Sequence, residues 1–130
     1  IVSTGLKDII IPVISRDVLN CINPYFKKIN NISEENDVVG YHVFTIDKGN
    51  IYARNFAPKV GIDEECATGT SNGALASLLF MNGIINNKVE IIQGESMNEK
   101  SLIIVNIKQK DNILDVYVGG KAFVKDTLIV

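Results

Sequence analysis

Gly61–Gly83, reading GIDEECATGTSNGALASLLFMNG, is the stretch that decides the fold of this 130-residue chain. Its second half, from Ala74 to Met81, is apolar except for Ser77. Wound as a helix, these side chains leave no face for water, and a helix that is apolar all round is either membrane-spanning or buried. Because the run is far shorter than the ~20 residues that a bilayer requires, we predict a buried central helix with the rest of the chain wrapped around it.

Small and hydroxylic residues stand where this helix must begin, since residues 66–71 read CATGTS. The first turn of a helix leaves backbone N–H groups unpaired and carries about half a positive charge. Small side chains would let a carboxylate or enolate oxygen reach those groups. In the simpler interpretation, one hydroxyl only caps the helix. Three hydroxyls crowded with a thiol and two acids, Glu64 and Glu65, favour an anion-binding site.

The composition is that of a soluble globular domain, with 46% hydrophobic and 22% charged residues. A net charge of −2 without a basic cluster argues against nucleic acid or an anionic membrane as partner. Cys21 and Cys66 match no metal or disulfide spacing, which is typical of a reducing cytosol. We therefore expect a cytoplasmic protein without a metal. The chain begins at Ile1 rather than Met, which suggests a piece of something longer.

The rest of the chain alternates between apolar strands and turn residues. Residues 18–32 have helical spacing, interrupted by Asn23-Pro24, where a second helix should restart. Glu34–Asp37 is interpreted as a solvated turn. The predicted strands are 8–15, 38–46, 51–56, 88–93, 102–108, 114–119 and 121–124, the second and third forming a hairpin. This order predicts an α+β fold, a mostly antiparallel sheet curled around one buried helix.

Two residues before the central helix could carry acid–base chemistry. The helix dipole and free amides should lower the pKa of the Cys66 thiol, although a free cysteine is as often a small buried apolar residue. Glu65 is stabilised as an anion at this position, and a closing active site would make it a useful proton donor. Glu64 should face solvent, because adjacent side chains of an extended segment point opposite ways. His42 is interpreted as structural, although a Cys–His hydrolase would need it beside Cys66.

Motifs along the whole chain resemble those of one family. They are R-x-F-x-P at 54–58, Gly61-Ile62, EECATGTSNGAL at 64–75, Gln93-Gly94 and V-x-V-G-G-x-A at 116–122. The opening Val2–Gly5 before an apolar strand is similar as well. Together they resemble the PhzF-like phenazine-biosynthesis family, of the diaminopimelate epimerase and proline racemase superfamily. Its members have two similar domains, each a barrel-like sheet around a central helix, with the active site in the cleft between them.

The resemblance implies a cofactor-independent isomerase that moves a proton on a small carboxylated metabolite. Residues 1–130 would be its C-terminal domain, inactive without the missing N-terminal domain, with which 126–130 would pair. A homodimer and an apolar patch beside the 66–71 loop are also expected. Glu65 corresponds to the acid that assists at the family's active site, and Thr70 to its substrate-contacting serine. The implied site is catalytic Glu65 and Cys66, with Thr68, Gly69, Thr70 and Ser71 binding substrate.

The chain departs from the family pattern in ways that keep alternatives open. Glu65 replaces an aspartate, and Cys66 replaces a proline at the place where the epimerases and racemases carry a catalytic cysteine. Ala57-Pro58 stands where diaminopimelate epimerase holds its amino acid with a Glu-Arg pair, so the resemblance does not support an amino-acid substrate. A non-catalytic protein that binds small carboxylates is the main alternative, and the Cys–His hydrolase is the remote one.

Overall fold

The computed structural model describes residues 2–121. Three α-helices and eight strands are assigned in this part of the chain. In order they are β1 (Val2–Ser3), β2 (Lys7–Pro12), α1 (Arg16–Cys21), α2 (Phe26–Glu35), β3 (Gly40–Asp47), β4 (Asn50–Ala57), β5 (Ile62–Glu65), α3 (Gly69–Met81), β6 (Lys88–Gln93), β7 (Ser101–Lys110) and β8 (Ile113–Gly120). Short 3₁₀ turns cover Pro58–Val60 and Glu95–Met97.

The strands form one curled, mostly antiparallel sheet. Its order is β1-β2-β3-β4-β6-β7-β8, with β5 paired to β4. Only the β2–β3 and β4–β6 pairs are parallel among the described strands. Both end strands, β1 and β8, pack against α3, so the sheet curls around that helix. This confirms the predicted α+β architecture and the hairpin of β3 and β4.

The central helix is buried over most of its length. Leu75, Ala76 and Leu79 pack in a core with Ile91 and Val105 from the sheet. The last turn departs from the expected all-round burial, because Met81 is 75% exposed there. The first two turns lie closest to β8. A Cβ atom on Gly73 would be 3.2 Å from Val118 Cγ2, so a glycine at this position lets the strand approach.

The two short helices cover the opposite face of the sheet, where Leu19 and Ile29 pack on a second apolar cluster. Ser15 begins α1, its Oγ accepting a hydrogen bond from Val18 N at 3.2 Å, which is why β2 ends at Pro12 rather than 15. The second helix begins at Phe26 instead of Asn23-Pro24 and ends at Glu35, two residues into the predicted turn, which Asn36 and Asp37 complete.

Among residues 2–121, no helix has the length and apolarity needed to cross a bilayer. The predicted strand at 121–124, apart from Lys121, and the predicted role of 126–130 lie outside the described residues.

Candidate active site at the start of the central helix

The first turn of α3 lacks the side-chain cap that its sequence allows. Thr68 occupies the N-cap position with an extended backbone, but its hydroxyl makes no capping hydrogen bond. The hydroxyl instead donates to Glu65 Oε2 at 2.8 Å. The amides of Gly69–Ser71 are therefore left without the hydroxyl that usually satisfies a first turn. The predicted helix tip is present, and the simple-cap interpretation is wrong for Thr68.

This turn opens into a cavity of about 400 Å³, a size typical of small-molecule sites. Glu65 and the four predicted substrate-binding residues all line it, and Gly69 and Thr70 are exposed. The rest of the lining is mostly apolar, with two polar side chains, Asp8 and Asn55. The apolar residues are Leu6, Val39, Ala57, Val60, Ile62 and Ala67. The sequence therefore located one wall of the cavity, while Asp8 and Asn55 were missed.

A larger cavity of about 550 Å³ borders the helix tip and is lined mainly by residues of the paired strands β7 and β8. It shares Ala67 and Gly69 with the first cavity, and its charged lining residues are Lys100 and Lys121. The smaller cavity combines carboxyl groups with first-turn amides, so it is the candidate active site.

The hydroxyl of Ser71 is not available to a ligand. It is buried, donates to Asp8 Oδ2 at 2.6 Å and accepts from Asn55 Nδ2 at 3.1 Å. Only the backbone amide of Ser71 is left to contact a bound anion. Thr70 differs, because its side chain is exposed and lines the cavity.

A buried hydrogen-bond network connects the two carboxylates of the cavity. One arm is short, running from Asn55 through Ser71 to Asp8. The other starts at the same Asn55 amide and ends at Glu65 after four intermediates. It passes through His42, Asn72, Gln93 and Thr68, with links of 3.2, 3.2, 2.6, 3.0 and 2.8 Å. Such networks polarise their members cooperatively and hold side chains in one orientation.

The network determines the state of His42. Asn55 Nδ2 can only donate, so His42 Nδ1 accepts, and Nε2–H donates to Asn72 Oδ1. Burial lowers the pKa of His42 to about 4, more than the hydrogen bond to Asn72 raises it. His42 is therefore a neutral structural residue near pH 7. Its contacts are with Asn55 and Asn72 rather than with Cys66, and this removes the basis for a Cys–His hydrolase.

Cys66 differs from the expectation. It is not among the residues that line the candidate cavity. Burial raises the pKa of its thiol and the neighbouring Glu99 carboxylate acts in the same direction, outweighing Ser101 and the thiol's own backbone amide. The predicted lowering is wrong, because burial and the neighbouring Glu99 raise the thiol pKa instead. A catalytic role for Cys66 stays a prediction.

Glu64 is also not where the sequence placed it. Arg54 holds it through Nε–Oε1 and Nη2–Oε2 hydrogen bonds of 2.8 and 2.9 Å. Burial raises the pKa of Glu64, but the hydrogen bonds from Arg54 and Ser96 outweigh burial and hold it below its usual value. The guanidinium also donates to two carbonyls of the α1 region, so this pair anchors β5 to the helices. The alternation rule predicted opposite faces for Glu64 and Glu65 but not a buried partner for Glu64.

Asp8 is the most deeply buried acid in the described part of the chain, at 2% exposure. Burial raises its pKa, while the Ser71 hydroxyl and the Gly40 backbone amide lower it. The sequence assigned Asp8 only to the start of a strand. An acid opening an otherwise apolar run, D-I-I-I, was the one available signal, and it did not reveal which cavity the strand would border.

Three exposed apolar side chains form a rim along part of the cavity. Leu6, Val60 and Ile62 line it while remaining 50%, 55% and 40% exposed. The patch expected beside the 66–71 loop is therefore present. Clusters of this kind mark interaction or ligand sites when they border a pocket.

Fold and site together define an α+β domain in which an uncapped helix tip and an adjacent acid line one cavity. The family model described as phenazine biosynthesis-like protein, PhzC-PhzF, matches residues 1–127. The chain belongs to this PhzF-like family.

Two curated relatives and one solved structure illustrate the match. An uncharacterized isomerase of Clostridium acetobutylicum is 31% identical over 136 residues, covering 95% of this chain and 44% of that protein. The trans-2,3-dihydro-3-hydroxyanthranilate isomerase of Pseudomonas fluorescens is 25% identical over 131 residues, with coverages of 97% and 46%. A Bacillus anthracis phenazine biosynthesis protein of the PhzF family shares the fold with a TM-score of 0.77, at 20% identity and coverages of 91% and 43%. The chain spans about half the length of the relatives it matches.

Proposed function

We propose that the chain is the C-terminal domain of a cofactor-independent isomerase that moves a proton on a small carboxylated metabolite. One observation carries the proposal. Uncapped first-turn amides and the Glu65 carboxylate line the same cavity. The relatives support it, since they are named isomerases and one is named for a hydroxyanthranilate substrate.

In the proposed reaction, the amides of Gly69–Ser71 bind the substrate's carboxylate or the enolate oxygen that develops when a neighbouring proton leaves. Preorganised donors of this kind contribute about 10²–10³ in rate each. Thr70 adds its exposed hydroxyl at the same edge. The metabolite's carbon skeleton lies against the apolar walls, which exclude water from the charged contacts.

Glu65 is the proposed proton carrier on this side of the cavity. Thr68 donates to one of its oxygens, and Gln93 Nε2 donates to its backbone carbonyl at 2.6 Å, so the side chain is held beside the helix tip. A second acid–base group is proposed to come from the missing N-terminal domain, which would cover the rim of Leu6, Val60 and Ile62. The isolated domain would then bind carboxylates without turnover.

The binding step can be tested on this chain alone. Cyclohexanecarboxylate titrated into the ¹⁵N-labelled domain should shift the backbone amide resonances of Gly69, Thr70 and Ser71 with saturation. Thr70→Val should weaken this binding, and Thr45→Val, which alters a buried threonine away from the cavity, should not. If the amides of residues 69–71 do not respond, the proposed site is wrong.

The chemical step requires a protein that contains this chain together with the proposed first domain. With trans-2,3-dihydro-3-hydroxyanthranilate as substrate in D₂O, deuterium should replace a carbon-bound proton of the product. The loss of that proton signal is measured by ¹H NMR. Glu65→Gln should slow incorporation by about 10²-fold or more, whereas Asp63→Asn, an exposed acid on the same strand, should not. Binding at the helix tip without deuterium incorporation from any small carboxylate tested would instead favour the non-catalytic binding protein.

A further inference from the structure

We propose that Gln93 is a positioning residue that keeps the first turn of α3 open to an anion and holds Glu65 beside it. The inference rests on the proposed function, because it concerns how that site is kept in its binding arrangement. Gln93 is fully buried at the end of β6 and is not among the residues that line the candidate cavity. It therefore acts through Thr68 and Glu65, which do line the cavity.

Backbone groups fix the orientation of the Gln93 side-chain amide. The Thr68 N–H can only donate, and it donates to Gln93 Oε1 at 3.2 Å. The Glu65 carbonyl can only accept, and it lies 2.6 Å from Gln93 Nε2. Asn72 Nδ2 donates to the Thr68 carbonyl at 2.8 Å, so its contact of 2.6 Å with Gln93 Oε1 is a donation as well. The amide cannot be turned round without breaking these bonds.

These contacts prevent the usual reciprocal cap at the start of a helix. In a capping box, the N-cap hydroxyl accepts from the amide of the third helical residue, whose side chain accepts from the N-cap N–H in return. Here Gln93, from a different element, accepts from the N–H of the N-cap residue Thr68. The third helical residue, Ser71, donates its hydroxyl to Asp8 instead. Both halves of the box are diverted, and the first-turn amides are left for a ligand.

The Thr68 hydroxyl is held away from the helix by the same side chain. Gln93 Nε2 donates to Thr68 Oγ1 at 3.0 Å, and the hydroxyl donates in turn to Glu65 Oε2 at 2.8 Å. Glu65 is therefore held through its backbone carbonyl and through its carboxylate, both by way of Gln93. Without Gln93, both the backbone and the hydroxyl of Thr68 lose a partner. We expect the hydroxyl then to turn onto the first-turn amides as an ordinary N-cap.

The binding experiment uses Gln93→Met, which keeps a long side chain and removes the amide. Cyclohexanecarboxylate is titrated into the ¹⁵N-labelled chain while the Gly69–Ser71 amide resonances are followed. Its affinity should fall about tenfold, because the anion must displace a capping hydroxyl. Adding Thr68→Val to the same variant removes that hydroxyl and should restore most of the affinity. A loosened fold would give the opposite result, since a second substitution does not repair it.

The placement of Glu65 is tested by kinetics in a protein that contains this chain together with the proposed first domain. Gln93→Met should lower kcat for deuterium incorporation by about 10–100-fold, because the acid is misplaced. In the double variant with Thr68→Val, KM should recover while kcat stays low, since nothing orients Glu65 there. Gln109→Met replaces an exposed glutamine on β7, outside the cavity, and should change neither constant.

One measurement needs no variant. In wild-type protein, the side-chain amide protons of Gln93 should show nuclear Overhauser effects to Thr68. Their absence overturns the role of Gln93, as does equal affinity of wild type and Gln93→Met for cyclohexanecarboxylate. A lowered affinity that Thr68→Val does not restore also overturns it, because Gln93 would then only support the fold. Failure of the helix-tip amides to respond in wild-type protein overturns the proposed function itself.

Discussion

Asp8 makes the stability of the domain depend on pH in a direction opposite to that of most acids. An aspartate usually has a lowered pKa in the folded state and stabilises the protein above that value. Burial instead raises the pKa of Asp8 above 3.8. Below the unfolded-state pKa, Asp8 is protonated in both states and costs nothing. Between the unfolded-state and the folded-state pKa, the unfolded chain ionises while folded Asp8 keeps its proton, so stability falls across that range and levels off once folded Asp8 ionises as well.

The Asp8→Asn variant isolates this effect, because asparagine has the same shape and does not titrate. We expect the free energy of unfolding of the variant, relative to wild type, to increase between pH 3 and pH 7. The increase should be about 1.4 kcal/mol for each unit by which burial raises the pKa. Urea unfolding followed by circular dichroism at several pH values measures it, the other acids cancelling in the difference.

Asp63→Asn provides the matched control, since it removes a carboxylate of the same kind from an exposed position on β5. A flat curve for Asp8→Asn would show that Asp8 feels no burial penalty. A curve that falls with pH would show that Asp8 is stabilised as an anion in the folded domain by its hydrogen bonds from Ser71 and Gly40.

Three further predictions concern the surroundings of the site. Arg54→Met should lower the free energy of unfolding by about 1–3 kcal/mol, because it removes the cation from the partly buried Glu64 carboxylate and the donor from two carbonyls of the α1 region; Lys7→Met, which breaks an exposed pair, should cost less than about 1 kcal/mol in the same urea assay. Iodoacetamide at pH 8 should label the exposed Cys21 before Cys66, whose thiol pKa is raised by burial, and mass spectrometry showing the reverse order would contradict this. ¹⁵N NMR should show His42 neutral with the proton on Nε2 and titrating at about pH 4; titration near 6.5 would mean that the network is open to solvent.

The sequence predicted the central helix and most strands because both depend on local patterns. The apolar run of α3 and the strand at Lys88–Gln93 were found with their approximate bounds. The errors came where tertiary contacts decide the ends of an element. Ser15 caps α1 and shortens β2, and α2 begins two residues after the proline that was expected to start it.

The candidate site likewise has one part that local sequence predicts and another that only tertiary contacts create. Its helix tip is contiguous in sequence, so small residues before an apolar run were sufficient to locate it. Asp8 and Asn55 come from different strands, and the parallel pairing of β2 with β3 brings them to α3. No local sequence pattern predicts that residues of these separate strands will lie next to the helix. The misplacement of Glu64 has the same origin, because its partner Arg54 lies on a neighbouring strand.

The hydrogen-bond network explains why the tip of α3 stays available. A threonine at the N-cap would ordinarily turn its hydroxyl onto the first-turn amides. Here Gln93 Nε2 donates to Thr68 Oγ1, and the hydroxyl proton is directed to Glu65. Glu65 is thereby oriented by the same contact that leaves the amides uncapped. Replacing Gln93 would release Thr68 to cap the helix and would free Glu65, so one buried amide links the uncapped first turn to the placement of the acid.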